Sequence, residues 1–307
     1  MGYILKKAAF YLGVMWVVVT LTFFLIRFIP GDPFFNKRVP PEVKANYLTR
    51  YGLDQPVMLQ YGRYLSDLVH LDLGPSLKYP GRTVNEIIKE SFPFSAILGL
   101  LALMLAGVLG IALGVSAAAW QEKWQDKAIL LLATLGLSIP NFALGAGLIY
   151  LFALKLRLFP VAMFTSPLGL VLPVLTLAVL PAAVITRLVR TEMIEVLNRD
   201  YIIAARARGL SPGSVLFRHA LPNALPGIVQ YLSPVAANLL TGSFVVEKIF
   251  ALPGLGHYYV NSVANRDYNM VAGITIFYAF ILLITTFAAD ILVSLINPKT
   301  RLKDGVI

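Results

Sequence analysis

Few side chains in this sequence have the type and spacing that covalent chemistry requires. The three histidines, His70, His219 and His257, lie far apart, and there is no cysteine. A metal site needs clustered imidazole, thiolate or carboxylate ligands, so none is expected. No H-E-x-x-H occurs either, which removes a metalloprotease reading. The stretch nearest to a phosphate-binding loop, Gly74 to Thr83, has the wrong glycine spacing and no lysine after Gly81. ATP binding in that manner is therefore excluded for this chain. Two carboxylates stand inside apolar runs. Glu247 adjoins Lys248 and is expected to pair with it; Asp290 is expected to pair with a neighbouring arginine. A carboxylate in such surroundings is a functional candidate by default, but two isolated acids make no proton relay. With no nucleophile–base set, no catalytic residue is expected.

The elements that hold these residues are those of a membrane protein. The 307 residues are 58% hydrophobic and only 14% charged, with a mean hydropathy of +0.74. Soluble domains carry roughly 25% charged residues, and this chain has too few to cover a water-facing surface. A span needs about 20 mostly apolar residues. Six such stretches occur, at 8–29, 94–119, 128–154, 168–189, 226–250 and 269–296. The expected fold is an all-α integral membrane protein of six transmembrane helices, multi-pass in the cell membrane. Orientation follows from lysine and arginine in the short loops. With the N-terminus inside, the inner segments hold Lys6, Lys7, Lys123, Lys127, Arg187, Arg190, Arg199, Arg206, Arg208, Arg218, Lys299, Arg301 and Lys303. The short outer loops hold only Lys155, Arg157, Lys248 and Arg266. Both termini are thus expected in the cytoplasm. The same asymmetry accounts for most of the net charge of +10 without a nucleic-acid partner.

The chain divides into an N-terminus and first span (1–29), an extracytoplasmic helical insertion (30–93), a five-span core (94–296) and a cytoplasmic tail (297–307). The insertion reads as helices at 41–51 and 56–69. A short amphipathic helix around Val84, Ile87 and Ile88 is expected to lie at the bilayer interface. In the second span Gly99, Ala102, Ala106, Gly110 and Gly114 share one side, where small residues let helix backbones approach closely. Pro140, Pro173, Pro181 and Pro234 interrupt three of the apolar runs and are candidates for helix kinks, which suit a bundle that moves.

The most informative segment is the loop between the fourth and fifth runs, 190–225. Asn198 or Asp200 can cap a helix through Tyr201, Ala204, Ala205, Arg206 and Arg208. Gly209 suits the left-handed position that ends it. Ser211 then caps a second helix with Pro212 at its first position, stopping before Pro222. Two capped helices tethered closely to the bilayer argue against DNA. Their small residues fit a groove in another protein.

Ala204-Ala205, three residues, Gly209, nine residues, then His219-Ala220-Leu221-Pro222 resembles the E-A-A loop of permeases of ATP-binding cassette importers. The stretch from Tyr201 to Asn223 is most similar to the oligopeptide/dipeptide/nickel permease family. Pro30-Gly31-Asp32-Pro33, Gly52-Leu53-Asp54-Gln55-Pro56, Asp72-Leu73-Gly74 with Ser76, Ser138-Ile139-Pro140, Pro253-Gly254-Leu255-Gly256 and Asn297-Pro298-Lys299 agree with that family in order. Ile203 stands where the general motif has Glu, His219 where it has Ile, and Leu71 where the family often has Gly. The resemblance implies a non-catalytic permease subunit of a peptide importer. A second homologous permease, two cytoplasmic ATPases carrying ATP and Mg, and an extracytoplasmic substrate-binding protein would complete it. It also implies that Tyr201, Ala204, Ala205, Arg206, Arg208, Gly209, Leu221 and Pro222 couple the permease to the ATPases. The chain itself would bind no cofactor. A secondary transporter, an intramembrane enzyme, and an importer of nickel or another small solute are the alternatives. The first needs ion-coordinating groups near the midplane, and the second a nucleophile–base set or a metal pair.

Overall fold

The computed structural model describes residues 2–28, 55–160 and 167–296. The expected outer helix 41–51, the motif at 30–33 and the ending 297–299 lie outside the described residues. Five helical stretches are long and apolar enough to cross a membrane, at 5–28, 84–119, 167–197, 212–249 and 268–295, and a bent pair of helices adds a sixth candidate.

Helix α1 (Gly2–Phe28) turns Phe10, Leu12, Trp16, Leu21 and Leu25 outward, as a lipid-facing helix does. Helix α2 (Val57–Val69) lies against its far end. Tyr61 and Tyr64 each set their rings 5.3 Å from that of Phe23, and the Tyr61 hydroxyl shares a hydrogen bond with Thr20. Burial pushes the pKa of the Tyr64 hydroxyl upward. Val57 and Leu59 at its start remain exposed.

Helix α3 (Val84–Ala119) starts at a capping box, in which Thr83 Oγ1 accepts from the Glu86 amide while the Glu86 carboxylate accepts from the Thr83 amide. The separate interfacial helix expected here is instead the first two turns of α3, which continues through Pro93. Val84, Ile87 and Ile88 are buried with Leu255, Met270 and Ile274, so protein covers the apolar face that would otherwise meet lipid. At 36 residues, α3 is about 54 Å long, well beyond the ~30 Å hydrocarbon core. It is therefore several turns longer than one crossing needs.

Helices α4 (Trp124–Ser138) and α5 (Asn141–Leu148, extended by a π-helical stretch Ile149–Lys155) meet at 102°. Pro140 makes the break. It takes an extended backbone at the start of α5, and its carbonyl accepts from Ala143 and Leu144. A 3-10 turn, Pro167–Leu170, leads into α6 (Val171–Leu197). Pro173 falls in the first turn of α6, where its missing N–H costs no regular helix bond, so it is not the mid-helix kink expected. Helix α6 also runs two turns past the expected end at Val189. Helix α7 (Asp200–Ala207) and the segment 212–220 follow.

Helix α8 (Leu221–Leu240) carries Pro226 and Pro234 inside it. It ends before Gly242, whose φ is +95°, and the rest of the fifth apolar run, expected to reach Phe250, forms a separate short helix. The short helices α9 (Phe244–Ile249) and α10 (Leu255–Ala264) form a hairpin before α11 (Tyr268–Ile296).

The small-residue face of α3 is where these helices meet. A Cβ on Gly99 would stand 2.1 Å from the Leu239 carbonyl oxygen, and one on Gly114 would stand 2.5 Å from Val189 Cβ. Ala102 and Ala106 are wholly buried between them. Gly110 faces Ile185 and Gly114 faces Val189, so α3 and α6 run parallel. The chain between them must cross once. Asp126 meets Arg190, Gly136 meets Val179, and Gly145 meets Thr176, so the bent pair climbs α6 in order and makes that crossing.

Polar ties sit at the ends of the bundle. Lys7 Nζ and the Tyr11 hydroxyl each lie 2.7 Å from Asp290 Oδ2, joining the start of α1 to the end of α11. Asp290 thus has a cationic partner as expected, but a lysine. Arg190 Nε and Nη2 donate to the two oxygens of buried Asp126 at 2.6 and 2.7 Å. At the other end, buried Asp267 accepts from Ser76 Oγ and from the amides of Leu77, Lys78 and Met270. That carboxylate fastens the loop after α2 to the start of α11.

Candidate coupling interface

Helix α7 begins at Arg199, which has an extended backbone and offers no side-chain cap; Asn198 closes α6 instead. Neither expected cap forms, although Asp200 places a negative charge in the first turn, where the helix dipole favours it. The C-terminal end follows expectation. Gly209 has φ +80°, its amide donates to Arg206, and the Leu210 amide donates to Ala205. This is a Schellman cap, which satisfies two otherwise orphaned carbonyls. A Cβ at Gly209 would meet nothing within 4 Å, so its requirement for glycine is one of backbone conformation alone.

Ser211 Oγ accepts from the Ser214 amide, with Pro212 at the first position, as the sequence suggests. The second helix then departs from expectation. It widens into a π-helical turn, Val215–Ala220, and continues into α8 without stopping before Pro222. A proline at 222 removes the bond to the Arg218 carbonyl and would press its ring against it. The wide turn directly before it re-aims that carbonyl and lets the helix go on.

Helix α7 has two faces. Ile202, 0% exposed, belongs to the main core with Met193, Val196 and Leu197 of α6 and Val215 and Ala220 of the wide turn, and Ala205 is also buried, at 8% exposed. Tyr201, Ile203, Ala204, Arg206, Ala207 and Arg208 face outward. Ala205 is therefore part of the seat of α7 on its own chain, whereas Ala204 belongs to the free face. Beside it lies a groove of about 710 Å³ whose lining includes Arg208, Gly209, Leu210, Phe217 and Arg218. Phe217 is 61% exposed there. Leu221 packs against the core and Pro222 is exposed. The structure thus gathers Tyr201, Ala204, Arg206, Arg208 and Gly209 on one basic, partly apolar surface.

The kink candidates do not form one site. Pro181 is buried inside α6, Pro234 lies inside α8, and Pro140 stands at the break before α5. Pro93 and Pro226 are further in-helix prolines not singled out in the sequence.

Glu247 is not paired with Lys248, whose ammonium lies 5.5 Å over the Phe244 ring. Its carboxylate, 1% exposed, accepts from Ser95 Oγ at 2.7 Å and from the His257 amide at 3.2 Å. The signal for this was present in the sequence as an acid in an apolar run flanked by Gly242, Gly254 and Gly256. The partner Ser95 lies 152 residues away, and no local pattern points to it.

Residues 110–302 match the family model described as binding-protein-dependent transport system inner membrane component. The dipeptide transport system permease protein DppB of Bacillus subtilis is 45% identical over 98% of this chain and 98% of its own length. The oligopeptide transport system permease protein OppB of Salmonella typhimurium is 38% identical over 97% of this chain and 99% of its own. Among solved structures, the MetNI methionine ABC transporter in an inward-facing conformation has a chain of similar fold. Its TM-score is 0.58 at 19% identity, covering 69% of this chain and 96% of that one. A multi-pass helical bundle with this loop and these relatives belongs to the family of inner membrane components of binding-protein-dependent transport systems.

Proposed function

We propose that this chain is one of two permease subunits of an ATP-driven importer of peptides, and that it forms half of the translocation path. The observation that carries this reading is the seating of α7. Ile202 packs it into the core with the end of α6 and the turn that becomes α8, and Ala205 is buried on the same helix. Helices α6 and α8 both pack on α3. A push on the free face of α7 is therefore delivered to three helices of the bundle, because packed interfaces shift as units and do not deform smoothly.

The partners belong to the same reading. Two cytoplasmic ATPases, holding ATP and Mg, supply the push at Tyr201, Ala204, Arg206, Arg208 and the groove beside Gly209. A second, homologous permease completes the path, and an extracytoplasmic binding protein delivers the cargo. ATP binding must favour one arrangement of the bundle by a differential interaction. Peptide cargo is supported by relatives named for dipeptide and oligopeptide transport. Both termini are cytoplasmic in this reading. The loop charges favour that side, and the Lys7–Asp290 pair supports a common end for the start of α1 and the end of α11.

Purification of the complex through this subunit, followed by mass spectrometry of proteins and small ligands, tests the reading. Recovery of ATPase subunits, a second permease and bound peptide is expected. Solute uptake by the isolated chain in liposomes, driven by an ion gradient without ATP, would contradict it.

A further inference from the structure

The buried carboxylate of Glu247 is the polar centre of the end of the bundle opposite α7. It has no cation among its hydrogen-bond partners. Instead it accepts from Ser95 Oγ on α3 and from the amides of Gly256 and His257 in the first turn of α10. Ser95 Oγ in turn accepts from the Leu255 amide at 2.8 Å. Ser95 and Glu247 thus close a ring that joins α3, α9 and α10. The acid also caps α10 from another helix, at the end where the dipole favours a negative charge.

The backbone is shaped around this group. A Cβ on Gly242 would lie 2.3 Å from Glu247 Oε1, one on Gly254 would lie 2.2 Å from its carboxyl carbon, and one on Gly256 would lie 3.0 Å from Oε2. Three glycines therefore give the carboxylate its space. One turn further along α3, Gly99 touches the Leu239 carbonyl of α8, so backbone meets backbone beside the ring. Phe250, 1% exposed, fills the turn after α9 and lies against Gly145 of α5.

We propose that Glu247 is a positioning residue, whose carboxylate locks the α9–α10 hairpin onto α3 so that this end of the bundle travels as one body during transport. The motion that α7 imparts is then taken up elsewhere and arrives here undistorted. This rests on the transport reading above, but its structural core can be tested without cargo.

The experiment places nitroxide labels at Ile97→Cys on α3 and Val263→Cys on α10, both exposed positions, in a chain that has no cysteine of its own. Electron paramagnetic resonance then reads their separation in the full complex, nucleotide-free and with ATP trapped. One narrow separation, identical in both states, is expected for the otherwise unaltered chain. Glu247→Gln presents an NH₂ donor where amides already donate, and Ser95→Ala removes the hydroxyl. Each should raise the population of an undocked hairpin on the order of 10- to 100-fold, as loss of a hydrogen bond to a charged group does. Ser95→Thr should restore the narrow separation. A separation that changes with ATP in the unaltered chain overturns the proposal, whether or not any variant folds. Unchanged distributions in both Glu247→Gln and Ser95→Ala also overturn it. Should the distances behave as expected while no peptide is imported, the fault lies with the cargo reading and not with the lock.

Discussion

Leu71 takes a left-handed backbone, φ +59°, in the turn after α2, and its side chain is 79% exposed. A Cβ in this region costs roughly 1–2 kcal/mol, and nothing in the packing of an exposed leucine offsets it. A glycine here, as the family resemblance implies, would have a conformational reason. Leu71→Gly is accordingly expected to raise the thermal unfolding midpoint of the purified complex, by up to about 1 kcal/mol of stability after the entropy of the extra glycine is subtracted. A lower midpoint would show that the strain is not there. At Gly209 the substitution runs the other way. Gly209→Val meets no neighbouring atom, so it acts through backbone strain of roughly 1–2 kcal/mol at the Schellman cap. Membrane insertion should survive while transport loses its link to ATP hydrolysis. Arg218→Lys keeps its charge and should change little. Ala204 and Ala205 look alike in the sequence but separate in the structure. A glutamate at 205 would enter the core beside Ile202 and test folding. A glutamate at 204 stands on the free face and tests docking. Nothing local in the sequence divides the two, because the helix phase is set by packing against α6.

Among the elements, apolar runs place every crossing, yet their boundaries and breaks come from long-range contacts. Helix α3 starts ten residues before its apolar run because Val84, Ile87 and Ile88 find a cover in α10 and α11. Prolines mislead when read alone. Pro173 is harmless in a first turn, while Pro140 turns the chain by 102°. The π-helical turns at 149–155 and 215–220 have no signature beyond the proline that follows the second. The tie between α4 and α6 was equally hidden, since Arg190 read as an ordinary inner-loop charge and no local pattern singled out Asp126. Its geometry is bidentate, and Asp126 is 2% exposed. Removing one partner of such a pair strands the other and costs about 3–5 kcal/mol. Asp126→Ala should therefore lower the unfolding midpoint sharply. Arg190→Lys should fall between that and the unaltered protein, because an ammonium cannot fork onto two oxygens. Equal midpoints for Asp126→Ala and the parent would show the pair to be idle.

For the molecule as a whole, composition and loop charge carry the membrane assignment, and the resemblance carried by the coupling loop and outer motifs agrees with relatives that match along the full length. Sidedness gives a direct prediction. Val69→Cys should react with an impermeant thiol reagent in intact cells stripped of any outer membrane, and Phe217→Cys only after permeabilisation. The reverse pattern would invert the topology. The central claim is mechanical: α7, seated through Ile202 on α6 and on the wide turn that leads into α8, passes ATPase motion into the bundle through its free face. The most direct measurement is peptide uptake per ATP hydrolysed in liposomes holding the full complex, with Ala204→Glu compared against the unaltered subunit at equal membrane content. The account predicts that uptake per ATP falls at least about tenfold, the effect of ~1.4 kcal/mol lost at the contact, while the variant chain stays inserted and folded. Uptake per ATP equal to that of the unaltered complex, with normal stimulation by the loaded binding protein, would contradict it and leave α7 as no more than a charged tether.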